Sequence, residues 1–154
     1  MLTKSARGTY VLVLHTRGDL DLEVGALGAI TFKAGWYMYV GSAMSGLRVR
    51  LRRHFNKKKL GHWHIDYLTN VARIDGAALL VSSDRLECRV ADKLKAGLAS
   101  IAGFGCSDCE CGSHLFFSAC EAGAWNSVES ALTGFDVERH HMRSKDLRAF
   151  SNHS

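Results

Sequence analysis

Two tyrosines, one arginine and one histidine are residue types that could do chemistry on an anion. Tyr10 ends the tripeptide GTY, Tyr39 begins the run YVGS, and Arg50 and His54 follow eleven and fifteen residues after Tyr39. A guanidinium binds two oxygens of a phosphate at once, and a phenol can take up a proton if nearby cations lower its pKa. The same residues would also be ordinary as half-buried strand tyrosines and as solvated residues of a helix.

A short run of cysteines is the second group that could do chemistry. Cys106, Cys109, Cys111 and His114 fall within nine residues and could supply the four soft ligands of one tetrahedral Zn²⁺. Cys109 and Cys111 are too close in sequence to favour a disulfide with each other. A disulfide between Cys106 and a distant cysteine, or reduced thiols packed as small apolar groups, would also explain the run.

The segment HWHID, which begins at His62, is a third group. On a helix His62 and Asp66 are four residues apart and share a face, whereas His64 points elsewhere. A metal site is one interpretation, and contacts to phosphate fit better beside a basic helix. The alternative is an ordinary polar helix packed around Trp63 and Ile65.

Positive charge is concentrated in one part of the chain. Lys and Arg number 20 against 15 Asp and Glu, and no acidic residue stands between Glu23 and Asp66. A block of one sign repels itself, so it favours an anionic partner, most commonly a phosphate backbone. A solvated helix face is the alternative. The basic residues of this interval are Lys33, Arg48, Arg50, Arg52, Arg53, Lys57, Lys58 and Lys59.

The hydrophobic pattern predicts the elements that must position these residues. Strands are predicted at 9–15, 35–40, 77–81 and 114–118, extended pieces at 21–24 and 29–32, and helices at 47–55, 62–71 and 86–99. The first extended segments would form an antiparallel meander. We therefore predict an α/β domain, a small antiparallel or mixed β-sheet flanked by helices, over residues 7–118. Residues 119–154 are predicted to form a C-terminal extension that is partly helical or mobile.

Composition limits the class of protein. The chain has 154 residues, of which 47% are hydrophobic and 23% charged, which is typical of one globular domain and excludes disorder as the main state. No apolar run approaches the ~18 residues of a membrane span, and the N-terminus lacks the apolar core of a signal peptide. Five cysteines, an odd number, do not support a fully paired secreted framework. We expect a cytoplasmic protein.

The motifs in this order resemble the GIY-YIG nuclease superfamily, with the form G-x-Y, then Y-[IV]-G-S, then R-x-x-x-H. Three segments are similar to its Uri-type endonuclease branch: WYMYVGSA (36–43), HWHIDYL (62–68) and GFGCSDCECGSHLF (103–116). The resemblance spans residues 7–118. It implies a GIY-YIG-like fold and a metal-dependent endonuclease that hydrolyses phosphodiester bonds in DNA or another nucleic acid, leaving a 5′-phosphate and a 3′-hydroxyl.

The resemblance also implies roles for five residues. Tyr10 would be the general base, and Tyr39 would position it or bind the phosphate. Arg50 would stabilise the charge of the transition state, and His54 would hydrogen-bond a tyrosine or the phosphate. Glu87, in the first turn of a predicted helix, would hold Mg²⁺ or Mn²⁺; its alternative role is to complement the helix dipole.

The predicted partner is nucleic acid, with no membrane. Contacts to its backbone are expected from Lys33, Ser42, Arg48, Arg52, Arg53, Lys57, Lys58 and His64. Two alternatives remain open. A nucleic-acid-binding module without catalysis would need neither Glu87 nor a metal, and an interaction domain stapled by zinc would bind a protein.

Overall fold

The computed structural model describes residues 2–106 and 109–152. The strands of this part of the chain are β1 (Gly8–Thr16), β2 (Leu20–Glu23), β3 (Ala29–Phe32), β4 (Gly35–Ala43), β5 (Arg73–Val81), β6 (Ala99–Ser100), β7 (Leu115–Ser118) and β8 (Glu138–Arg143). The helices are α1 (Leu47–Phe55), α2 (His64–Thr69), α3 (Glu87–Lys95), α4 (Glu121–Leu132) and α5 (Ser144–Asn152). Six strands form one antiparallel sheet in the order β6-β7-β4-β1-β5-β8. The predicted α/β class is confirmed.

Strand β1 lies at the centre of this sheet because it is apolar on both faces. It pairs with β4 on one side and β5 on the other, and eight of its nine residues are buried. Alternate side chains of a strand point to opposite faces. Tyr10, Leu12 and Leu14 therefore join the core on one face, and Val11 and Val13 join the core on the other.

Helices cover both faces of the sheet. Helices α1, α2 and α5 pack on the face that contains Tyr10, where α1 contributes Leu47 and Leu51 at the four-residue spacing of its apolar stripe. Helices α3 and α4 pack on the opposite face, where Val90 and Val128 are buried. The candidate residues of α1 and α3 therefore reach any common site from opposite sides of the sheet.

The N-terminal segments do not form one continuous meander. Strands β2 and β3 pair only with each other, as a separate hairpin joined by a 3-10 turn at Gly25–Leu27. Gly28 then has φ of 76°, a conformation that favours glycine. Val24 and Phe32 of the hairpin are fully buried and join the core on the Tyr10 face, so the hairpin packs on the sheet instead of extending it.

The C-terminal part contains α4, β8 and α5. Strand β8 pairs with β5 at the edge of the main sheet. Helix α5 buries Leu147 in the core on the Tyr10 face and accepts, at the Ser151 carbonyl, a hydrogen bond from Arg52 of α1 (2.9 Å). Strand β8 was not predicted from the sequence. Within the described residues, no helix has both the length and the apolar composition needed to cross a membrane.

Candidate functional site

A cleft of about 930 Å³ opens where β4 ends and the chain turns towards α1. Tyr39 of β4, Arg50 of α1 and Glu87 of α3 all line it. Ser42 lies at the end of β4 in the same wall, and its hydroxyl oxygen is buried without a hydrogen-bond partner among the described residues. Three predicted catalytic residues from distant parts of the chain thus meet at one opening.

Tyr10 and His54 lie directly behind the cleft. The Tyr10 hydroxyl and His54 Nε2 are joined by a buried hydrogen bond of 2.7 Å. The two rings are 5.5 Å apart between centroids, and the Tyr39 ring lies 6.3 Å from Tyr10 and 6.2 Å from His54. The two tyrosines and the histidine form one buried aromatic group whose edge at Tyr39 faces the cleft.

Gly41 gives the Tyr10 ring its space. It is the partner of Tyr10 in the register of β1 and β4, and a Cβ atom at position 41 would lie 2.4 Å from the Tyr10 hydroxyl oxygen. That distance is far inside van der Waals contact. Position 41 must therefore be glycine, because any side chain there would overlap the Tyr10 ring.

Gly41→Ala is expected to lower the free energy of unfolding by about 1–3 kcal/mol, because the added methyl group forces the Tyr10 ring out of its place. Chemical denaturation measures the loss. Gly97→Ala is the matched control, since a Cβ at Gly97 meets no atom within 4 Å. Equal stability of the Gly41→Ala and Gly97→Ala variants would contradict this account of Gly41.

Burial controls the ionisation of this group. Burial raises the pKa of Tyr10 well above the ordinary value, and the nearby Tyr39 also raises it. Arg50 reaches the Tyr10 hydroxyl and acts in the opposite direction, lowering this pKa. Burial also raises the pKa of Tyr39. A tyrosine base was expected to need nearby cations that lower its pKa. Arg50 acts in that direction, but the desolvation of the buried phenol is the larger effect.

Burial, together with the charge of Lys59, lowers the pKa of His54 from 6.5 to about 3. Between these two pH values the unfolded chain binds a proton at His54 that the folded chain does not. The free energy of unfolding should therefore fall by up to about 1.4 kcal/mol for each pH unit as the pH decreases from 6.5 towards 3.

Urea denaturation at several pH values tests this expectation. His54→Gln should flatten the dependence; the slope that remains comes from other groups, among them His114, whose pKa burial also lowers. An unchanged slope in His54→Gln would contradict a neutral buried imidazole at position 54.

Arg50 is held in the cleft by Ser42 and Trp63, and it also reaches the Tyr10 hydroxyl. Its Nη1 donates to the Ser42 carbonyl (2.8 Å), and its guanidinium lies 4.4 Å from the centre of the Trp63 ring. Arg53, one turn on, lies 4.5 Å from the same ring. Arg50 lines the cleft, so its guanidinium can meet an anion there. Trp63, which the sequence analysis treated only as a buried helix residue, forms the platform for this arginine.

Asp66 has a structural role that the sequence analysis did not assign. It is fully buried, and its Oδ2 accepts from Arg53 (2.7 Å) and from the backbone N–H groups of His62 and Trp63 (3.0 Å each). Burial alone would raise the pKa of Asp66, but these three donors lower it overall. Asp66 therefore fixes the backbone that leads into α2.

His64 lines the cleft and connects it to the cysteine-rich loop. Its Nδ1 accepts a hydrogen bond from the Gly105 backbone N–H (2.9 Å), and its ring packs near Phe104. Gly105 in turn packs against the Tyr39 ring, where a Cβ would lie 3.0 Å from the ring edge. His64 thus orders the cleft wall, and its Nε2 is the atom that remains for a ligand.

Much of the basic block contacts the protein itself. Lys57 Nζ donates to the carbonyls of Thr69 and Ala72 (2.6 Å each), and Arg52 and Arg53 have the partners described above. Arg48 keeps two guanidinium nitrogens buried without a hydrogen-bond partner among the described residues. Lys58 is exposed, whereas Lys33 lies before β4, at the opposite end of that strand from Ser42. The structure does not bring Lys33 to the cleft.

Three cysteines and one histidine form a cluster at the cleft wall. Cys88, Cys109, Cys111 and His114 place one sulfur or nitrogen atom each within 4.8 Å of one another, and together they could hold a metal ion. Cys106 is not in the cluster, so the predicted set of Cys106, Cys109, Cys111 and His114 is wrong in this one ligand. Cys88, from the first turn of α3, takes its place, and all five cysteines are free thiols.

The cluster has the dimensions of a tetrahedral site. His114 Nε2 lies 3.9 Å from Cys88 Sγ and 3.5 Å from Cys109 Sγ. Ordinary Zn–S and Zn–N bond lengths give about 3.6 Å between the nitrogen and sulfur ligands of a tetrahedral ion. Burial raises the pKa of Cys111, and Cys88 raises it further, so a cation is the group that would favour its thiolate.

The model of a family described as "Domain of unknown function DUF123" matches residues 9–144. The chain belongs to this family. The DUF123 match begins in β1 and ends at the first residue of α5, so it includes the cleft, the cysteine cluster and β8. Comparison with the curated proteins and with the solved structures found no significant match.

Proposed function

We propose that this chain is a metal-dependent endonuclease that hydrolyses phosphodiester bonds in DNA or another nucleic acid. The observation that carries the proposal is the meeting of Tyr39, Arg50 and Glu87 in one cleft, with the Tyr10–His54 pair directly behind it. These residues resemble the GIY-YIG motifs, which also supports the proposal. Their convergence in one cleft is a second support, independent of that resemblance.

Arg50 would bind the non-bridging oxygens of the scissile phosphate and stabilise the charge that develops there. Its contacts to Ser42 and Trp63 fix the guanidinium before the substrate arrives, so little reorganisation is needed during the reaction. Tyr39, at the cleft wall, would donate its hydroxyl to the same phosphate. A water oxygen would attack phosphorus as the P–O bond to the 3′ oxygen breaks. The departing 3′ oxygen would take up a proton from solvent and become the 3′-hydroxyl, and the phosphate would stay on the 5′ end.

Tyr10 is expected to be a phenol at neutral pH, since burial raises its pKa. It can accept the proton of the attacking water only if it passes its own proton to His54 Nε2 along their 2.7 Å hydrogen bond. A buried imidazolium is costly, as the low pKa of His54 indicates. The negative charge of the bound phosphate would offset part of that cost.

Glu87 fits a hard cation. Its carboxylate lies in the cleft, partly exposed, 3.7 Å from Arg85, and its charge acts on both Tyr10 and Tyr39. Mg²⁺ commonly binds through one or two carboxylates, waters and a substrate phosphate, so a single glutamate suffices. When bound there, Mg²⁺ or Mn²⁺ would supply a Lewis acid to the phosphoryl group.

The soft donors of Cys88, Cys109, Cys111 and His114 fit a different ion. We propose that this cluster holds Zn²⁺, because three thiols and one imidazole with tetrahedral spacing are typical ligands of structural zinc. Four protein ligands leave no open position for substrate. The chain would then carry two metals with separate tasks.

Incubation of the purified protein with plasmid, single-stranded and branched DNA, and with RNA, tests the proposal. Cleavage that needs Mg²⁺ or Mn²⁺ and leaves 5′-phosphate ends is the expected result. Salt-dependent binding with no cleavage of any substrate would instead favour the catalytically inactive binding module. Bound zinc without affinity for nucleic acid would favour the interaction domain.

A further inference from the structure

We infer that the metal ion held by Cys88, Cys109, Cys111 and His114 positions Glu87 and Tyr39 in the cleft. This inference rests on the proposed function, because it assigns to the cluster a task in preparing that site. The ion itself would take no part in the reaction, since its four protein ligands form a closed tetrahedral shell.

Glu87 is held in place through its two sequence neighbours, Leu86 and Cys88. Cys88 follows Glu87 directly, so a metal bound to the Cys88 sulfur restrains the backbone that carries the carboxylate. On the other side, the Leu86 N–H donates to the Thr9 hydroxyl of β1 (3.2 Å), next to Tyr10. The first turn of α3 is thus fixed to β1 by a hydrogen bond, and the metal would fix it to the cysteine-rich loop.

His114, at the other end of the cluster, is held close to Tyr39. His114 is tied to β4, because its carbonyl accepts from the Val40 N–H (2.9 Å), and Val40 follows Tyr39. The His114 N–H donates to the Phe104 carbonyl (2.8 Å), and Gly105 contacts both His64 and the Tyr39 ring. Phe104, Gly105 and His114 therefore join the cluster to the residues of the cleft wall.

The metal ion would join these two ends of the cluster. Cys88 and His114 are 26 residues apart in sequence, and their ligand atoms are 3.9 Å apart. A metal between them converts two separately held segments, the start of α3 and the start of β7, into one rigid wall. Loss of a group that orients a metal ligand commonly weakens metal binding 10- to 100-fold. Here the oriented ligand is Glu87.

The experiment compares Cys111→Ser with Cys106→Ser, a control in the same loop whose sulfur lies outside the cluster. For each variant we measure the zinc content, the circular dichroism and, by electron paramagnetic resonance, the Kd of Mn²⁺. A Glu87→Gln variant identifies which Mn²⁺ site contains Glu87. We expect Cys111→Ser to lose zinc, keep its secondary structure and bind Mn²⁺ about 10-fold or more weakly. Cys106→Ser should match the unmodified protein in all three measurements.

A Cys111→Ser protein that has lost zinc but binds Mn²⁺ with an unchanged Kd would overturn the inference. Cys111→His keeps four ligands and should restore both zinc content and Mn²⁺ affinity; failure to restore them would also count against it. If Cys111→Ser does not fold, the unmodified protein is depleted of zinc with a chelator and refilled. Reversible loss of Mn²⁺ affinity supports positioning, whereas unfolding on depletion would show a role in folding instead.

The test of the positioning role can fail or succeed independently of the test of endonuclease activity. Binding of Mn²⁺ at Glu87 and its dependence on the cluster are measured without any nucleic acid. If the protein binds Mn²⁺ in this way but cleaves no substrate, the endonuclease proposal fails and the positioning role stands. If the protein cleaves nucleic acid and Cys111→Ser retains full Mn²⁺ affinity, the endonuclease proposal stands and the positioning role fails.

Discussion

Replacing Arg50 by alanine is expected to lower the rate constant for phosphodiester cleavage by about 10³-fold, because a preorganised guanidinium that meets developing phosphoryl charge contributes on that scale. Arg50 lines the cleft and is held there by Ser42 and Trp63. Single-turnover cleavage measures the chemical step separately from binding. Arg50→Lys should recover little, since an ammonium keeps the charge but cannot bind two oxygens in the same plane.

The control for Arg50 is its neighbour Arg52. That residue has the same charge and lies on the same helix, but its Nε donates to Ser151 of α5, away from the cleft. Arg52→Ala should keep the cleavage rate within a few-fold and affect mainly stability. Equal loss of activity in both variants, or none in Arg50→Ala with the fold intact, would contradict a role for Arg50 in the transition state.

Glu87→Gln is expected to reduce cleavage by about 10²-fold or more at any practical Mg²⁺ concentration, because an amide is a much poorer ligand for a hard cation than a carboxylate. The side chains have nearly the same shape, so the fold should be unaffected. Titration of the cleavage rate with Mg²⁺ and with Mn²⁺ measures the effect. The largest deficit should appear at low metal concentration.

Asp92→Asn provides the matched control for Glu87, since it removes one negative charge from the exposed surface of the same helix. It should leave the metal dependence nearly unchanged. A Glu87→Gln protein with a normal Mg²⁺ titration would remove Glu87 from the metal site and would favour the binding module without catalysis.

Local sequence patterns predicted the elements around the cleft well. Helix α1 has the predicted bounds, 47–55, because its apolar residues recur every four positions and no other element competes for them. Strands β1 and β4 lie within one to three residues of their predicted ends. Glu87 opens α3 as expected. These features depend on residues close together in the chain, which is where periodicity carries information.

Features that depend on distant packing were not predictable in the same way. Cys88 belongs to the metal cluster although 21 residues separate it from Cys109, because α3 packs against the sheet beside the cysteine-rich loop. Charge composition could not show that Lys57 and Arg52 bind backbone carbonyls of the protein itself. Nor could propensity show that burial outweighs Arg50 in setting the pKa of Tyr10.

Strand β8 has a consequence for how the protein avoids aggregation. Its residues are mostly polar or charged, and it covers the edge of β5, which is buried from Ile74 to Leu80. A shortened chain that ended at residue 118 would expose that apolar edge to strands of other molecules, and it would also lose the core residues of α4 and α5. Strand β8 therefore protects the edge of β5 from pairing with other molecules. Fragments without β8 should precipitate, even though they contain every residue of the cleft.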